Sequence, residues 1–344
     1  MIELQGSKLV FSFPEVHAGA KATISFQRTL RIPDDDKNYA LPPGLGDFPL
    51  RHVDDFAAKV PPTWIEHGGV MLPMYQAEAM WSCFSCAYVT AQGQYPFAIK
   101  IATGKINAVS GKNWKEGLNR RPQDYVVAPQ QPWLDGYCVE KGIIRQFVAM
   151  PLGAGYTAEE QLTGKAEHGG LQIMAIPMKR QVFEKRFPKI IVRGRAVCYY
   201  DKNMIAEECC QFATADMGLA PGGRMKQEIY DDPFDLADWD IEHSSRCFVH
   251  ICNSMVWRQI TGDNPPTVPP TAKEYTDAGL PWFDYYSDNT TAVNGSKILA
   301  GLKSVAAMSK QKKSVPLPEN QSVSNERIIL LRRGLSAGQV REFK

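Results

Sequence analysis

Two segments of the sequence share the order Glu-His-Gly-Gly and could bring two histidines to one site. His67 lies in the first segment, at residues 66–69, and His168 lies in the second, at residues 167–170. In both, the glycine pair predicts a turn, and the β-rich run after it predicts a strand. Two equivalent histidines could meet at a pseudo-symmetric site left by an old duplication. Chance similarity explains the repeat about as well, and the interpretation we favour is an exposed histidine at each turn.

A second cluster of reactive side chains lies in the apolar run at residues 247–252. If this run is a strand, its side chains alternate, so His250 and Cys252 share a face while Cys247 points away from His250. A local pair of nucleophile and base is therefore disfavoured. Zinc could bind His250 and Cys252 together with Cys83 and Cys86. We favour core packing for these thiols and predict no zinc and no other cofactor.

Seven acidic residues and no basic ones occur between residues 228 and 242. Clustered carboxylates suit calcium, although the spacing lacks the glycine and the terminal glutamate of an EF-hand loop. A solvated acidic loop is the simpler interpretation, and it is the one we favour. The candidate calcium ligands are Asp231, Asp232, Asp235, Asp238 and Asp240.

An aromatic segment at residues 281–286 follows a proline-rich stretch and is the candidate binding surface. Exposed aromatic side chains often anchor interfaces, so this segment could bind carbohydrate or protein. It could equally close over the domain's own core, which is the more common use of such residues. The candidate binding residues are Trp282, Phe283, Tyr285 and Tyr286.

Glycines at residues 218–223 have the spacing of a phosphate-binding loop, but the chemistry is incomplete. Such a loop needs a lysine followed by a serine or threonine, and here these positions hold Arg224 and Met225. We therefore predict a plain glycine turn at this point.

The elements that must position these residues are mostly short strands. Alternating apolar residues at 8–13 and 22–30 predict two strands, and 27 Gly with 24 Pro predict many tight turns. Capping-box spacing at Thr157 and Thr271 predicts two helix starts, and Ser296 could cap a helix over residues 297–308. One more short helix is predicted at residues 53–59, before the prolines at 61 and 62. The fold class is therefore α+β, predominantly β, with a large antiparallel, sandwich-like body and a few short helices.

Composition limits the class of protein further. The 344 residues are 44% hydrophobic and 22% charged, with a net charge of +2, which excludes collagen, coiled coils and general disorder. Near balance of charge also argues against a protein that coats nucleic acid. No apolar run is long enough for a membrane-spanning helix and no secretory signal is evident, so we expect a cytoplasmic protein whose eight cysteines are reduced.

The domain organisation follows from a change of composition near the C-terminus. Residues 1–308 are predicted to form a β-rich body, which could divide into two packed sub-domains near residues 125–155. Residues 309–325 are polar and predict a linker. Residues 326–344 predict a basic strand or tail, which should add to a sheet of its own body or, slightly favoured, of a neighbouring copy.

Several motifs resemble a family of bacterial proteins that has no assigned activity. They include Pro-Trp-Leu-Asp-Gly at residues 132–136, Met-Gly-Leu-Ala-Pro-Gly-Gly-Arg-Met at 217–225 and Gly-Leu-Pro-Trp-Phe-Asp at 279–284. The likeness covers about residues 8–305. It implies no catalytic residue, cofactor or ligand.

Two hypotheses for function remain open from the sequence. The first is a non-enzymatic binding or assembly protein that associates with itself or with a protein partner. It depends on the lack of a recognisable catalytic constellation and on the strand-like C-terminus. The second is a hydrolase-type enzyme whose site is gathered from distant loops.

Overall fold

A computed structural model describes residues 1–35, 37–189, 215–286, 290–314, 321–324 and 327–332. Cys198, Cys209 and Cys210, the tail beyond residue 332 and most of the second half of the predicted linker lie outside these residues.

Short strands form most of the regular structure. The strands are β1 Ile2–Gln5, β2 Lys8–Ser12, β3 Lys21–Thr29, β4 Asn38–Tyr39, β5 Gly44–Asp47, β6 Arg51–His52, β7 Val70–Met74, β8 Ala79–Cys86, β9 Tyr88–Val89, β10 Gly93–Gln94, β11 Phe97–Thr103, β12 Ile106–Asn107, β13 Val126–Ala128, β14 Trp133–Leu134, β15 Gly136–Glu140, β16 Ile143–Pro151, β17 Leu171–Pro177, β18 Asp216–Lys226, β19 Ser245–Asn253, β20 Trp282–Tyr286 and β21 Ile328–Arg332. The helices are α1 Pro62–His67, α2 Ala158–Thr163, α3 Arg180–Arg186, α4 Ser254–Thr261, α5 Ala272–Asp277, α6 Lys297–Ala300 and α7 Val305–Gln311.

Backbone hydrogen bonds join the strands from β1 through β8 and from β11 through β19 into one continuous sheet. Antiparallel pairs run from β1 through β2, β3, β8 and β16 to β18. The series then continues through β19, β17 and β11 to β13. Two short strands join it in parallel, β4 beside β18 and β7 beside β19. The prediction of a predominantly β, α+β fold with a large antiparallel body and few short helices is confirmed.

One large cluster of buried side chains forms the main core. It takes residues from along the described body, from Leu9 in β2 to Leu302 after α6. Aromatic side chains fill much of it, and Phe11, Phe26 and Phe97 are fully buried. Burial of this kind stabilises the fold by roughly 25 cal/mol for each square ångström of apolar surface removed from water. The predicted division near residues 125–155 stays a prediction.

Local sequence signals fix several helix starts. Thr157 and Thr271 each form the predicted capping box, with Glu160 and Glu274 as the reciprocal partners. Such a cap satisfies two backbone N–H groups that the first turn would otherwise leave without partners.

Three predicted elements are wrong, for identifiable reasons. Ser296 does cap a helix, but the predicted helix over residues 297–308 ends at Ala300, and a second one begins after Ser304. The helix predicted at residues 53–59 is only a short 3₁₀ turn. The prolines at 61 and 62 do not end a helix there; α1 begins at Pro62, because proline fits the first position of a helix. The predicted glycine turn at 218–223 is the middle of β18, where a Cβ atom at Gly223 would lie 2.3 Å from a backbone oxygen.

The C-terminal strand docks on its own chain. β21 pairs in parallel with β20, from Trp282 beside Ile328 to Tyr286 beside Arg332. The added strand is thus present with a partner in its own chain, while docking on a neighbouring copy stays a prediction. α7 extends to Gln311, into the first residues of the predicted linker. Among the described residues, no helix combines the length and the apolar character needed to cross a membrane.

Candidate functional site

The two Glu-His-Gly-Gly segments lie on opposite edges of β19. β7, which follows the first segment, starts beside Val249 and runs parallel to β19. β17, which follows the second, also starts beside Val249 but runs antiparallel. The two turns therefore meet over the middle of one strand, although 101 positions separate His67 from His168 in the sequence.

The second glycine of each turn allows its close approach to β19. Gly69 has a φ of +88°, and a Cβ atom there would lie 2.2 Å from the carbonyl oxygen of Phe248. Gly170 has a φ of +47°, and its Cβ would lie 2.4 Å from the carbonyl oxygen of Val249. Any larger residue would both adopt a strained backbone conformation and push the turn away from the strand.

Three imidazole rings meet above β19. The ring of His67 lies 5.9 Å from that of His168 and 5.9 Å from that of His250, measured between centroids. It stacks flat on Phe248, with the centroids 4.2 Å apart and the ring planes 2° from parallel. On the far side, His250 stacks on Trp64 at 4.8 Å. The favoured interpretation of His67 and His168 as exposed turn residues is wrong, because both are half-buried and face each other.

Separate hydrogen bonds hold the two histidine turns in place. The Glu159 carboxylate, buried in α2, accepts hydrogen bonds from the backbone N–H groups of Glu167, His168 and Gly169 at 2.9–3.0 Å. The first turn is held by His250, whose Nε2 donates to the carbonyl oxygen of Gly68 at 3.1 Å. A neutral His250 therefore carries its proton on Nε2, which leaves Nδ1 as an acceptor.

The three imidazoles are biased toward their neutral form. Burial lowers the pKa of His250 to about 4. Burial also lowers the pKa of His67, with contributions from His168 and Lys105, and lowers the pKa of His168, with a contribution from Lys105. The Nδ1 atoms of all three rings are buried and have no hydrogen-bond partner among the described residues. Unpartnered polar atoms are uncommon inside proteins and mark a place where a ligand or water would bind.

A cleft of about 440 Å³ opens beside His67. Its walls include the rings of Phe248 and Trp114, the side chain of Gln172 and the thiol of Cys247. Lys105, Arg246 and Glu66 also line it, so two basic side chains and one carboxylate border the imidazole. This volume suits a small molecule, and aromatic walls with a few polar groups are typical of ligand sites.

Lys105 reaches the cleft from a two-residue hairpin loop. Gly104 and Lys105 join β11 to β12 with φ values of +52° and +59°. Gln172 supports this turn, because its Oε1 accepts the Lys105 backbone N–H at 2.5 Å while its Nε2 donates to the Gly169 carbonyl at 3.0 Å. The hairpin is thereby tied to the second histidine turn.

A half-buried carboxyl group lies beside β19, the strand that carries His250. Burial raises the pKa of Asp216 to about 6, and the Trp64 side chain opposes this shift. Asp216 opens β18 and pairs with Cys252 of β19.

The cysteines considered for zinc are distributed between two regions. Cys83 and Cys86 lie on β8 and pair with β3, while Cys252 lies on β19. The structure brings no three His, Cys, Asp or Glu side chains of the described residues into a metal-binding group. The five described cysteines, Cys83, Cys86, Cys138, Cys247 and Cys252, are free thiols.

The candidate calcium ligands take part in internal hydrogen bonds. Asp232 is buried and accepts hydrogen bonds from the Tyr125 hydroxyl at 2.6 Å and the Trp239 indole N–H at 2.8 Å. Asp238 pairs with Arg186 at 2.7 Å, and Asp240 with His243 at 3.0 Å. Asp231 and Asp235 lie in the same segment, where Asp235 caps a short 3₁₀ turn. These contacts support a structural use of the segment.

The aromatic segment is divided between the core and a groove. Trp282 is only 1% exposed and belongs to the core. Phe283 lines a groove of about 340 Å³ together with Trp81, Trp133 and Leu331. Tyr285 packs edge-on against Trp133 at 4.7 Å. Tyr286 lies in β20, and its side chain is outside the described part of the structure.

Sequence reasoning missed two contributors to the imidazole cleft. Lys105 gave no signal beyond the Gly-Lys pair between two apolar runs, and Glu159 was noted only as part of a helix start. No family model, curated protein or solved structure matches the chain. The resemblance to a bacterial family therefore stays a prediction, and the site is interpreted from its own geometry.

Proposed function

We propose that the protein is a hydrolase-type enzyme that acts on a small molecule in the imidazole cleft. The observation that carries this proposal is the convergence of His67 and His168, whose rings come within 5.9 Å although their turns are far apart in the sequence. A catalytic site gathered from distant loops is the arrangement that motif reading from one sequence misses.

His67 is the general base of the proposed reaction. It lines the cleft, and its lowered pKa keeps the imidazole neutral and able to accept a proton at pH 7. Stacking on Phe248 fixes the plane of the ring. A positioned base with a pKa near the working pH accelerates proton transfer by about a hundredfold or more.

Water, and not a cysteine, is the proposed nucleophile. Cys247 is the thiol that lines the cleft, but burial raises its pKa to about 11. At neutral pH it is a thiol and not the reactive thiolate. For an ester substrate, His67 therefore takes a proton from water as the water oxygen bonds to the acyl carbon. The bond between that carbon and the leaving oxygen then breaks, and His67 returns the proton to the leaving group.

His168 acts behind His67 as a positioning residue. It contacts the ring of His67 and lowers the pKa of His67. Removing the His168 ring should let the pKa of His67 rise toward 6.5, the value of an unperturbed histidine.

The chromogenic ester p-nitrophenyl acetate tests the proposal. We expect protein-dependent hydrolysis that falls about a hundredfold in His67→Gln and is unchanged in the control His243→Gln, whose ring is exposed and bonded to Asp240. In His168→Gln, the rate should depend on a group with a higher apparent pKa. Hydrolysis that persists unchanged in a folded His67→Gln protein would refute the proposed base.

The second candidate function, a self-associating binding or assembly protein, is supported by the C-terminal strand. Ile328, Ile329, Leu330 and Leu331 are 40–48% exposed, and among the described residues β21 pairs with β20 on one side only. A free apolar edge is a ready surface for another strand. Light scattering of full-length protein and of a variant lacking residues 327–344 tests this candidate. An equal mass for the two proteins would argue against it.

A reducing compartment is part of the proposal. Free thiols at the described cysteines and motifs that resemble a bacterial family support a bacterial cytoplasm. Neither hypothesis uses a cofactor.

A further inference from the structure

We propose that the imidazole cleft binds a small organic anion with an apolar body, and that Lys105 holds its negative charge. This inference names the substrate class of the proposed hydrolase and therefore rests on that function, although its test measures binding alone.

Lys105 is the basic residue of the cleft that remains available to a ligand. In the part of the chain that the structure describes, its ammonium group makes no hydrogen bond or ion pair. The neighbouring cations are already paired. Lys100 binds Asp124 at 2.8 Å and is 1% exposed, and Arg246 binds Glu116 at 2.9 Å. Glu66 lines the same cleft and Glu167 lies within electrostatic reach of Lys105, but among the described residues neither carboxylate forms an ion pair with its ammonium. A half-buried lysine whose ammonium has no ion-pair partner favours an anion from outside the chain.

The backbone conformation of Lys105 supports a role for its side chain. Its φ of +59° is a conformation that glycine or asparagine adopts at lower cost. A turn of this type, with two residues of positive φ, is most often made with Gly or Asn. Gln172 holds Lys105 in place through its backbone N–H, so the surrounding structure maintains the strain. Strain of this kind is common where a side chain must point into a site.

The remaining walls indicate the body of the ligand. Phe248 and Trp114 offer two aromatic surfaces, and the volume of about 440 Å³ limits the ligand to a small molecule. Gln172 can add a hydrogen bond near the charged end. A compact, planar acid such as an aryl carboxylate combines the charge and the apolar body that these walls fit.

An anion at Lys105 would also change the base beside it. Lys105 contributes to the lowered pKa of both His67 and His168. A bound carboxylate neutralises this cation, so the pKa values of the two imidazoles should rise when the ligand binds. The base would thus become stronger only when the substrate is present.

Isothermal titration with sodium benzoate tests the inference, with inorganic phosphate as the second probe. We expect saturable benzoate binding by the full chain, with affinity about tenfold or more weaker in Lys105→Gly because one charge-assisted hydrogen bond is lost. Lys105→Asn should behave alike, since both residues accept this turn. The exposed Lys115 lies beside Trp114, and Lys115→Met is the matched control that should bind as wild type does.

Each outcome bears on the inference in a defined way. Phosphate bound in preference to benzoate, with the same dependence on Lys105, supports the anion site and assigns a phosphorylated ligand to it. No saturable binding of either anion, or equal affinity in folded Lys105→Gly, overturns it. Loss of ester hydrolysis in His67→Gln without any anion binding would leave the proposed enzyme standing and reject Lys105 as its anchor.

Discussion

Replacing Gly170 by alanine should separate backbone strain from steric exclusion at the second histidine turn. Alanine at a φ of +47° costs about 1 kcal/mol, because its Cβ crowds the following carbonyl in the left-handed conformation. The new Cβ would also lie 2.4 Å from the carbonyl oxygen of Val249, well inside ordinary contact. Val249 cannot withdraw, since it pairs with Leu171 on one edge and with Val70 on the other.

The clash should add about 2 kcal/mol to the strain, by analogy with overpacked cores. We therefore expect Gly170→Ala to lower the free energy of unfolding by about 3 kcal/mol. The matched control is Gly164→Ala, at the end of α2, where φ is +72° and no atom lies within 4 Å of the added Cβ. That variant carries the strain without the clash and should lose about 1 kcal/mol.

Urea unfolding measures both losses, provided that the dependence on urea is the same for the two variants. The His168 proton resonance should also shift in Gly170→Ala, because the turn is pushed away from β19. Equal destabilisation of the two variants would refute the argument that contact with Val249 decides the cost. Gly69→Ala offers an independent test at the first turn, since the added Cβ would lie 2.2 Å from the carbonyl oxygen of Phe248.

Three further predictions concern buried or half-buried titratable groups. Because the folded pKa of His250 is about 4 and the unfolded value is 6.5, the unfolded state binds more protons between these values, and stability should fall as pH drops from 6.5 to 4. Chemical unfolding at several pH values should show this loss of unfolding free energy. Over this pH range the loss should be smaller in His250→Gln than in the wild type by up to about 3 kcal/mol. Glu159→Gln should cost about 2 kcal/mol in thermal unfolding, because three backbone N–H groups lose a charged acceptor; an unchanged melting temperature would show that the turn does not need it. Burial raises the pKa of Cys138 and Cys252 to about 12, so alkylation followed by mass spectrometry should find both thiols free and slow to react until urea is added.

The parts of the fold that follow from the sequence are those with a strong local signal. Alternation at residues 8–13 and 22–30 predicted both ends of β2 and of β3 to within one residue. The capping boxes at Thr157 and Thr271 were also readable, since both partners lie three residues apart. In these cases, the decisive contacts are made between near neighbours in the chain.

Elements decided by distant contacts could not be read in this way. Gly222 and Gly223 suggest a turn, yet they lie inside β18, where Val148 and Pro33 approach closer than a side chain would allow. The glycines show that small residues occupy these positions, but the sequence alone does not show that tertiary packing is the reason. The helix predicted over residues 297–308 failed for a local reason, because Gly301 ends α6 and Ser304 caps a second helix.

The histidine pair lies between these two cases. The repeated Glu-His-Gly-Gly motif identified both residues, but the choice between exposed turns and a shared site depended on where β19 pairs. Because β7 and β17 both begin beside Val249 and run in opposite directions, their turns are placed as a local twofold rotation would place them. That relation brings equivalent histidines together.

Departures from this symmetry give the two histidines different roles. His67 stacks on Phe248 and lines the cleft, whereas His168 is held from behind by the bonds of its turn to Glu159. Lys105 adds a charge near the second turn, and Gln172 fixes its hairpin there. A symmetric pair of neutral imidazoles would bind ligands of either orientation equally well. Lys105, whose ammonium has no ion-pair partner among the described residues, makes one orientation favourable, which is what the proposed hydrolytic site needs to direct water at one bond of its substrate.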